Sequence, residues 1–189
     1  KRLELIELLA QGEKTVETLA EYAGIDVKLA SAHLRVLREA RLVEPRREGR
    51  FIFYRLSGDD VGVFWTQLRE LAAEHLVELQ LALGRIESDV EPLSPETRRS
   101  LLAKARRGEI VVIDVRPTDE YGTGHLPHAR SMPLAELKQR LAELPKGKEI
   151  VAYCRGPFCL MAGEAVALLR RRGYHARRIS DGVPDWIAA

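Results

Sequence analysis

Residues 88–95 read SDVEPLSP, and the two prolines in that stretch forbid one continuous helix from running through it. The polar residues around them suit a loop. Hydrophobic periodicity also changes across the stretch. Before it, three short segments have helical spacing, followed by a β-period pair and a long helix. After it, short apolar runs alternate with helix-like segments of about ten residues, the pattern of βαβ units. The 189 residues therefore read as two small domains. The expected division is residues 1–87, mainly α; a linker over 88–95; and residues 96–189, an α/β domain with a parallel sheet.

In the first half, Leu3 to Leu9 form an amphipathic helix. A second helix starts at Thr15 or Val16 and runs to Ala23, where Gly24 breaks it. Asp26 caps a third, over Val27 to Ala40. Val27, Ala30, Leu34 and Leu37 make the apolar stripe of that third helix, while Lys28, Ala32, Arg35 and Glu39 face away, flanked by Ser31. Small and basic side chains on an exposed face let a helix enter a groove and meet phosphates. Residues 42–56, LVEPRREGRFIFYRL, follow the β period through Phe51 and Phe53, with Arg46-Arg47-Glu48-Gly49-Arg50 as the turn. Residues 28–55 carry eight Lys/Arg against three Glu, whereas residues 57–95 carry two basic and eight acidic residues. Charge alone fits a solvated face. Charge on a helix pair followed by a basic hairpin fits a winged helix-turn-helix that binds double-stranded DNA. Lys28, Ser31, Ala32 and Arg35 would meet the groove, and Arg46, Arg47 and Arg50 the backbone.

The stretch TVETLAEYAGIDVKLASAHLRVLREARLV, followed by EPRREGRFIFYRL, resembles the ArsR (arsenic-repressor) family of bacterial winged-helix regulators over about residues 1–85. The resemblance implies a homodimer built from the first and last helices. Independently, Val61, Phe64, Trp65, Leu68, Leu71, Ala72, Leu76 and Leu79 form a stripe broader than a lone surface helix needs. Metal sensing, known in that family, is not expected. Residues 1–153 hold no cysteine, and His75 and Glu78 keep only one of two ligand pairs, since Gly62 and Phe64 occupy the other positions. Two ligands do not close a zinc site.

No apolar run approaches the roughly 20 residues that span a bilayer. The opening KRLELIELLA mixes charge with apolar residues, unlike a secretory signal. A cytoplasmic protein with no membrane partner is expected, and in that compartment cysteines are reactive or incidental rather than structural. Both cysteines of the chain, Cys154 and Cys159, lie in AYCRGPFCLM. The runs at residues 109–115 and 149–153 read as buried parallel strands, and a helix begins near Leu160. Cys154 thus stands at the carboxyl end of a strand, where open α/β sheets bind ligands. Loop N–H groups and the helix's positive end favour an anion there, hence a thiolate on Cys154. Gly156 permits the curvature, and Arg155 adds charge nearby. The bland alternative is a small buried apolar cysteine. A tyrosine-phosphatase loop needs an arginine where Leu160 stands, and four residues between the thiols rule out a thioredoxin pair.

Sulfur transfer needs neither. IDVRPTDEY with GHLPHA, and GVPDW near the end, are similar to the signatures of the rhodanese family, over about residues 94–189. The resemblance implies that Cys154 carries sulfane sulfur as a persulfide, cradled by Arg155, Gly156, Pro157, Phe158 and Cys159. It makes Asp114, Arg116 and His125 signature positions of structural character, with Arg116 pairing to Glu120 and His125 marking a turn. Two departures stand out. Cys159 replaces an often basic or polar residue, and Ser180-Asp181-Gly182 replaces a common double glycine, with Asp181 expected in the left-handed region. Cys159 offers a resolving thiol, although a loop with inward amides tends to point its side chains outward. No cofactor or metal is expected. The leading expectation is a dimeric DNA-binding regulator whose rhodanese-like domain carries or senses sulfur from thiosulfate, polysulfide or a persulfide. The alternatives are a thiosulfate or persulfide sulfurtransferase using the winged helix mainly to dimerise, and a repressor whose silent rhodanese-like domain binds an oxyanion or a protein.

Overall fold

The computed structural model describes residues 1–78, 81 and 94–187. The chain forms two compact units, Lys1–Leu71 and Ala72–Ala189. The expected linker falls outside the described residues except at its end, where Ser94 caps the next helix by accepting a hydrogen bond from the Thr97 N–H (3.3 Å).

In the first unit, α1 (Arg2–Ala10), α2 (Val16–Ala23) and α3 (Val27–Glu39) pack with a small antiparallel sheet. Its strands, β1 (Lys14–Thr15), β2 (Val43–Glu48) and β3 (Phe51–Leu56), lie in the order β1-β3-β2. Capping chemistry sets the helix bounds as expected. The Thr15 hydroxyl accepts from the Thr18 N–H, Gly24 ends α2 in the left-handed region at φ 60°, and the Asp26 carboxylate accepts from the Leu29 N–H. Such N-caps are each worth about 1 kcal/mol. Leu5, Leu19, Ala30 and Leu34 form the fully enclosed centre. Val27, expected in the stripe, is exposed, because the first turn of α3 runs past the edge of that core. The hairpin is tighter than the sequence suggested. Glu48 pairs with Phe51, so Gly49 and Arg50 alone make the turn, with Gly49 left-handed at φ 59°. Arg46 and Arg47 therefore belong to strand β2.

α4 (Asp59–His75) is tied to α1 through Glu7, which accepts hydrogen bonds from the Trp65 indole and the buried Arg69. Its other face is bare in the single chain: Phe64, Leu68 and Leu71 are exposed, as is Leu76 beyond it. Leu79 lies outside the described residues.

The second unit is the expected α/β domain. Strands β4 (Ile110–Asp114), β5 (Arg130–Ser131), β6 (Glu149–Tyr153) and β7 (Ala176–Arg178) form a parallel sheet in the order β5-β4-β6-β7. The helices are α5 (Pro95–Arg106), α6 (Thr118–Thr123), α7 (Leu134–Arg140), α8 (Met161–Arg171) and α9 (Val183–Ile187). Successive strand residues point to opposite faces, and here both faces are covered. Val111, Ile113, Ile150, Ala152 and Cys154 pack toward Leu137 and α8. Ile110, Val112, Val151 and Tyr153 pack toward Leu101 and Leu126. Double burial explains why the strand runs are continuously apolar, and the same alternation puts Cys154 on the α8 face. No helix among the described residues is long and apolar enough to cross a membrane.

Candidate functional site

On the first unit, Lys28, Ser31, Ala32 and Arg35 are exposed and, with Val27, line one open hollow on α3. The three wing arginines are exposed too, but they are not equivalent. Arg46 donates to both carboxylate oxygens of Glu13 (2.9 and 2.7 Å) and to Glu48 (2.6 Å), and lies 5.0 Å over the Phe53 ring. These bonds hold the Glu13 carboxyl below its usual range. Arg50 lies 5.1 Å over Phe51. The sequence carried no sign of Glu13 as a partner, 33 residues before Arg46. Among the described residues, no group of three or more His, Cys, Asp or Glu side chains is arranged to hold a metal ion.

On the second unit, β6 delivers Cys154 to the sheet's carboxyl edge, 2% exposed. The loop beyond it turns sharply. Gly156 has φ 144°, a conformation that favours glycine. The Cys159 N–H donates to the Gly156 carbonyl (3.1 Å), closing a β-turn with Pro157 at its second position, where a fixed φ is suited. That turn carries Cys159 back beneath Cys154, so its side chain points inward, contrary to expectation, and packs on the core that holds Cys154. Phe158 and Leu160 stay at the exposed rim.

Hydrogen bonding from the Ala162 and Gly156 N–H groups favours the charged form of Cys154, and from the Arg155 and Met161 N–H groups that of Cys159. The cradle therefore extends past Cys159 into the first turn of α8, while Pro157 has no N–H to give. The Cys154 Sγ–H faces the Cys159 carbonyl (3.4 Å), and hydrogen bonding between the two thiols shifts both titrations. They titrate as a pair. The bond from Cys154, opposed by burial and helped by the Arg155 and Met161 N–H groups, lowers Cys159 to about 6. Burial first, then the adjacent Cys159, pushes Cys154 well above the usual thiol range. Burial thus works against a thiolate on Cys154, whereas the hydrogen bonds at Cys159 favour one there.

Arg155 pairs with a carboxylate on another element, while its charge still favours a thiolate on Cys159. Its guanidinium is bidentate on the fully buried Glu120 (2.7 and 3.0 Å). Arg116 grips mainly Asp114 (2.6 Å) and the Gly124 carbonyl (2.7 Å). Burial works against its charge, and the bonds to Asp114, with the Glu120 charge among the groups behind them, outweigh that cost. Tyr153, whose hydroxyl burial pushes upward, donates to Asp114 (2.6 Å) and accepts from the Leu126 N–H. His125 stacks on Tyr121 (3.9 Å between rings) and meets its carbonyl, a turn contact as expected. Asp181 is not left-handed: only Arg41 and His128 among the described non-glycine residues have positive φ. Asp181 is accommodated by an ion pair with Arg98 (2.7 Å) instead. Gly182 is the position that requires glycine, since a Cβ there would lie 2.3 Å from the Arg155 carbonyl oxygen.

Residues 1–44 match the bacterial regulatory protein, arsR family, and residues 97–189 the rhodanese-like domain. Along its full length the chain is 42% identical to the HTH-type transcriptional regulator Rv0324 of Mycobacterium tuberculosis, covering 83% of that protein. The chain belongs to the ArsR family. This ArsR protein is also similar to a sulfurtransferase of Allochromatium vinosum, at 28% identity over 79 residues, 41% of this chain and 72% of that one. The homodimeric winged helix-turn-helix DNA-binding domain of Mb0332 from Mycobacterium bovis, solved by NMR, is 43% identical over 41% of this chain and 71% of that one, with a TM-score of 0.39.

Proposed function

We propose that this ArsR protein is a homodimeric, DNA-binding transcriptional regulator whose rhodanese-like domain takes sulfane sulfur onto Cys154. The reading divides the chain at residues 1–87, 88–95 and 96–189. α3 presents Lys28, Ser31, Ala32 and Arg35 to the groove of duplex DNA, and the wing presents Arg47 and Arg50, with Arg46 partly neutralised. The exposed apolar face of α4 supports pairing of two copies. For the sulfur step the carrying observation is Cys154 at the end of β6 with the Gly156 and Ala162 N–H groups on its sulfur. The Cys154 proton passes to the Cys159 thiolate, the Cys154 thiolate attacks the sulfane sulfur of thiosulfate, and sulfite leaves with the electron pair of the broken S–S bond. The product is a Cys154 persulfide. With polysulfide or a small persulfide the leaving group is the shortened chain or a thiolate.

The test is hydrosulfide release from thiosulfate or polysulfide with a dithiol as final acceptor. Wild type releases hydrosulfide, and Cys154→Ser does not, because a hydroxyl there is neither ionised nor thiophilic. Equal rates in the two proteins reject the reading. The similarity to a sulfurtransferase favours a second reading, an enzyme that uses the winged helix mainly to dimerise. Duplex DNA binding at physiological salt separates the two, since only the regulator requires it.

A further inference from the structure

We infer that Cys159 is a resolving thiol that converts the Cys154 persulfide into a Cys154–Cys159 disulfide and releases hydrosulfide. The inference rests on the persulfide reading above and adds a second reacting residue and a second product to it. A loop that only stores sulfur has no use for a second sulfur beside the first, yet the Gly156–Cys159 turn packs Cys159 on the core that holds Cys154, whose Sγ lies 3.4 Å from the Cys159 carbonyl oxygen. A disulfide brings its sulfurs to about 2.05 Å, and the two side chains, set in one short loop and packed in one core cluster, are the groups that must close that distance. Cys159 also meets the chemical requirement of an attacking sulfur. Lowered to about 6, it is mostly thiolate at neutral pH. Its side chain is half-buried, between the exposed Phe158 and Leu160 in the chain.

The step balances. After loading, the Cys154 proton has left and the persulfide is Cys154–S–S⁻ or its protonated form. The Cys159 thiolate attacks the inner sulfur of the protonated form, the new Cys154–Cys159 bond forms, and the S–S bond of the persulfide breaks. Its electron pair leaves on the terminal sulfur as hydrosulfide. Two thiols are oxidised by two electrons and the sulfane sulfur is reduced by two, so the persulfide itself is the oxidant and no other is needed. The loop ends with neither thiolate nor persulfide. A dithiol reductant resets it by ordinary exchange. In this scheme sulfane sulfur is read out as a disulfide, a state that outlasts the donor, and not as bound sulfur.

The experiment treats the full-length protein with inorganic polysulfide, without oxygen or added thiol, and follows intact mass before and after alkylation. Wild type is expected to lose about 2 Da and both alkylatable thiols, whereas Cys159→Ser, left without a resolving partner, gains about 32 Da on the Cys154 peptide. Cys154→Ser should do neither. A wild-type persulfide as long-lived as that of Cys159→Ser overturns the inference while leaving the persulfide reading intact. So does a bridge that retains the extra sulfur. If neither wild type nor Cys159→Ser reacts with polysulfide, the persulfide reading falls and this inference with it.

Discussion

Gly182→Ala offers a direct measure of how tightly the sulfur loop is braced. The added Cβ would stand 2.3 Å from the Arg155 carbonyl oxygen and 2.9 Å from the Gly156 nitrogen. Ordinary contact starts near 3.4 Å, so the loop must retreat by about 1 Å. The obstacle is backbone and has no flexible end to swing aside. Overpacking of this kind costs about 1–3 kcal/mol, and for a domain of about 100 residues each kcal/mol lowers the melting temperature by about 4–8 °C. The retreat also moves Gly156, whose N–H is bonded to the Cys154 sulfur. A 1 Å misplacement of reacting groups costs up to about 100-fold in rate, so hydrosulfide release should fall roughly 10- to 100-fold. Gly163→Ala is the control. Its Cβ would meet only the end of Arg178, at 3.5 Å, and α8 gains a better helix former. That variant should melt no lower than wild type and release hydrosulfide at the same rate. If Gly182→Ala melts within about 1 °C of wild type and loads sulfur normally, the close approach does not constrain the loop and the account of Gly182 fails.

Other outcomes follow from the same geometry. Cys154→Ala removes the bond that does most to lower Cys159, so the Cys159 titration, followed by thiolate absorbance, should move up from about 6 toward its ordinary 9.0; an unmoved titration would refute the pairing. In wild type the folded pair releases its first proton near 6, whereas an unfolded thiol keeps it until about 9. Stability relative to Cys159→Ala should therefore rise between those values and be lost as pH falls through about 6, which melting curves across that range will check. On the wing, Arg47→Ala and Arg50→Ala should each reduce the salt slope of DNA binding by about one. Arg46→Ala should reduce it less, because Glu13 and Glu48 already hold its charge; equal slopes for all three would refute that ranking. Oxidation of the loop to the disulfide should change operator affinity by about 1–3 kcal/mol, or 5- to 150-fold, with release the expected direction. Identical titrations for reduced, polysulfide-treated and Cys154→Ser protein would remove the sensor role.

What the sequence disclosed and what it withheld divide along a physical line. Features carried by neighbours in the chain were legible. Gly24 and Asp26 mark helix ends because capping is a contact between residues two to four apart. The runs at 110–114 and 149–153 announce a sheet covered on both faces because burial on both sides removes polar alternation. Cys154 at the end of β6 follows from that strand alone. Features carried by side chains meeting across the fold were not legible. Glu13 reaches Arg46 from 33 residues away and Glu120 reaches Arg155 from 35, and no local spacing foretells either. Both contacts change the chemistry, since each takes an arginine expected to face an anion and commits it to a carboxylate.

Cys159 lies between these cases. Amides gathered at a centre usually leave side chains outside, and Phe158 and Leu160 obey that tendency. Cys159 escapes it because the loop is two structures in succession: a β-turn from Gly156 to Cys159, and then the first turn of α8. Each supplies its own N–H groups, so two sulfurs can be bonded by amides at once. The ingredients were in the sequence, since Gly156-Pro157 is turn chemistry and the helix start was expected near Leu160. A loop that solvates two sulfurs also sets their order of reaction. The less buried one, Cys159, is the one whose charged form the loop favours. The more buried one, Cys154, becomes nucleophilic only when its proton moves to Cys159, and Cys159 recovers its thiolate when that proton passes to the persulfide. The same thiol thus serves first as base and then as nucleophile, so Cys159→Ser, with Cys154 intact, should load sulfur more slowly than wild type and keep it as the persulfide.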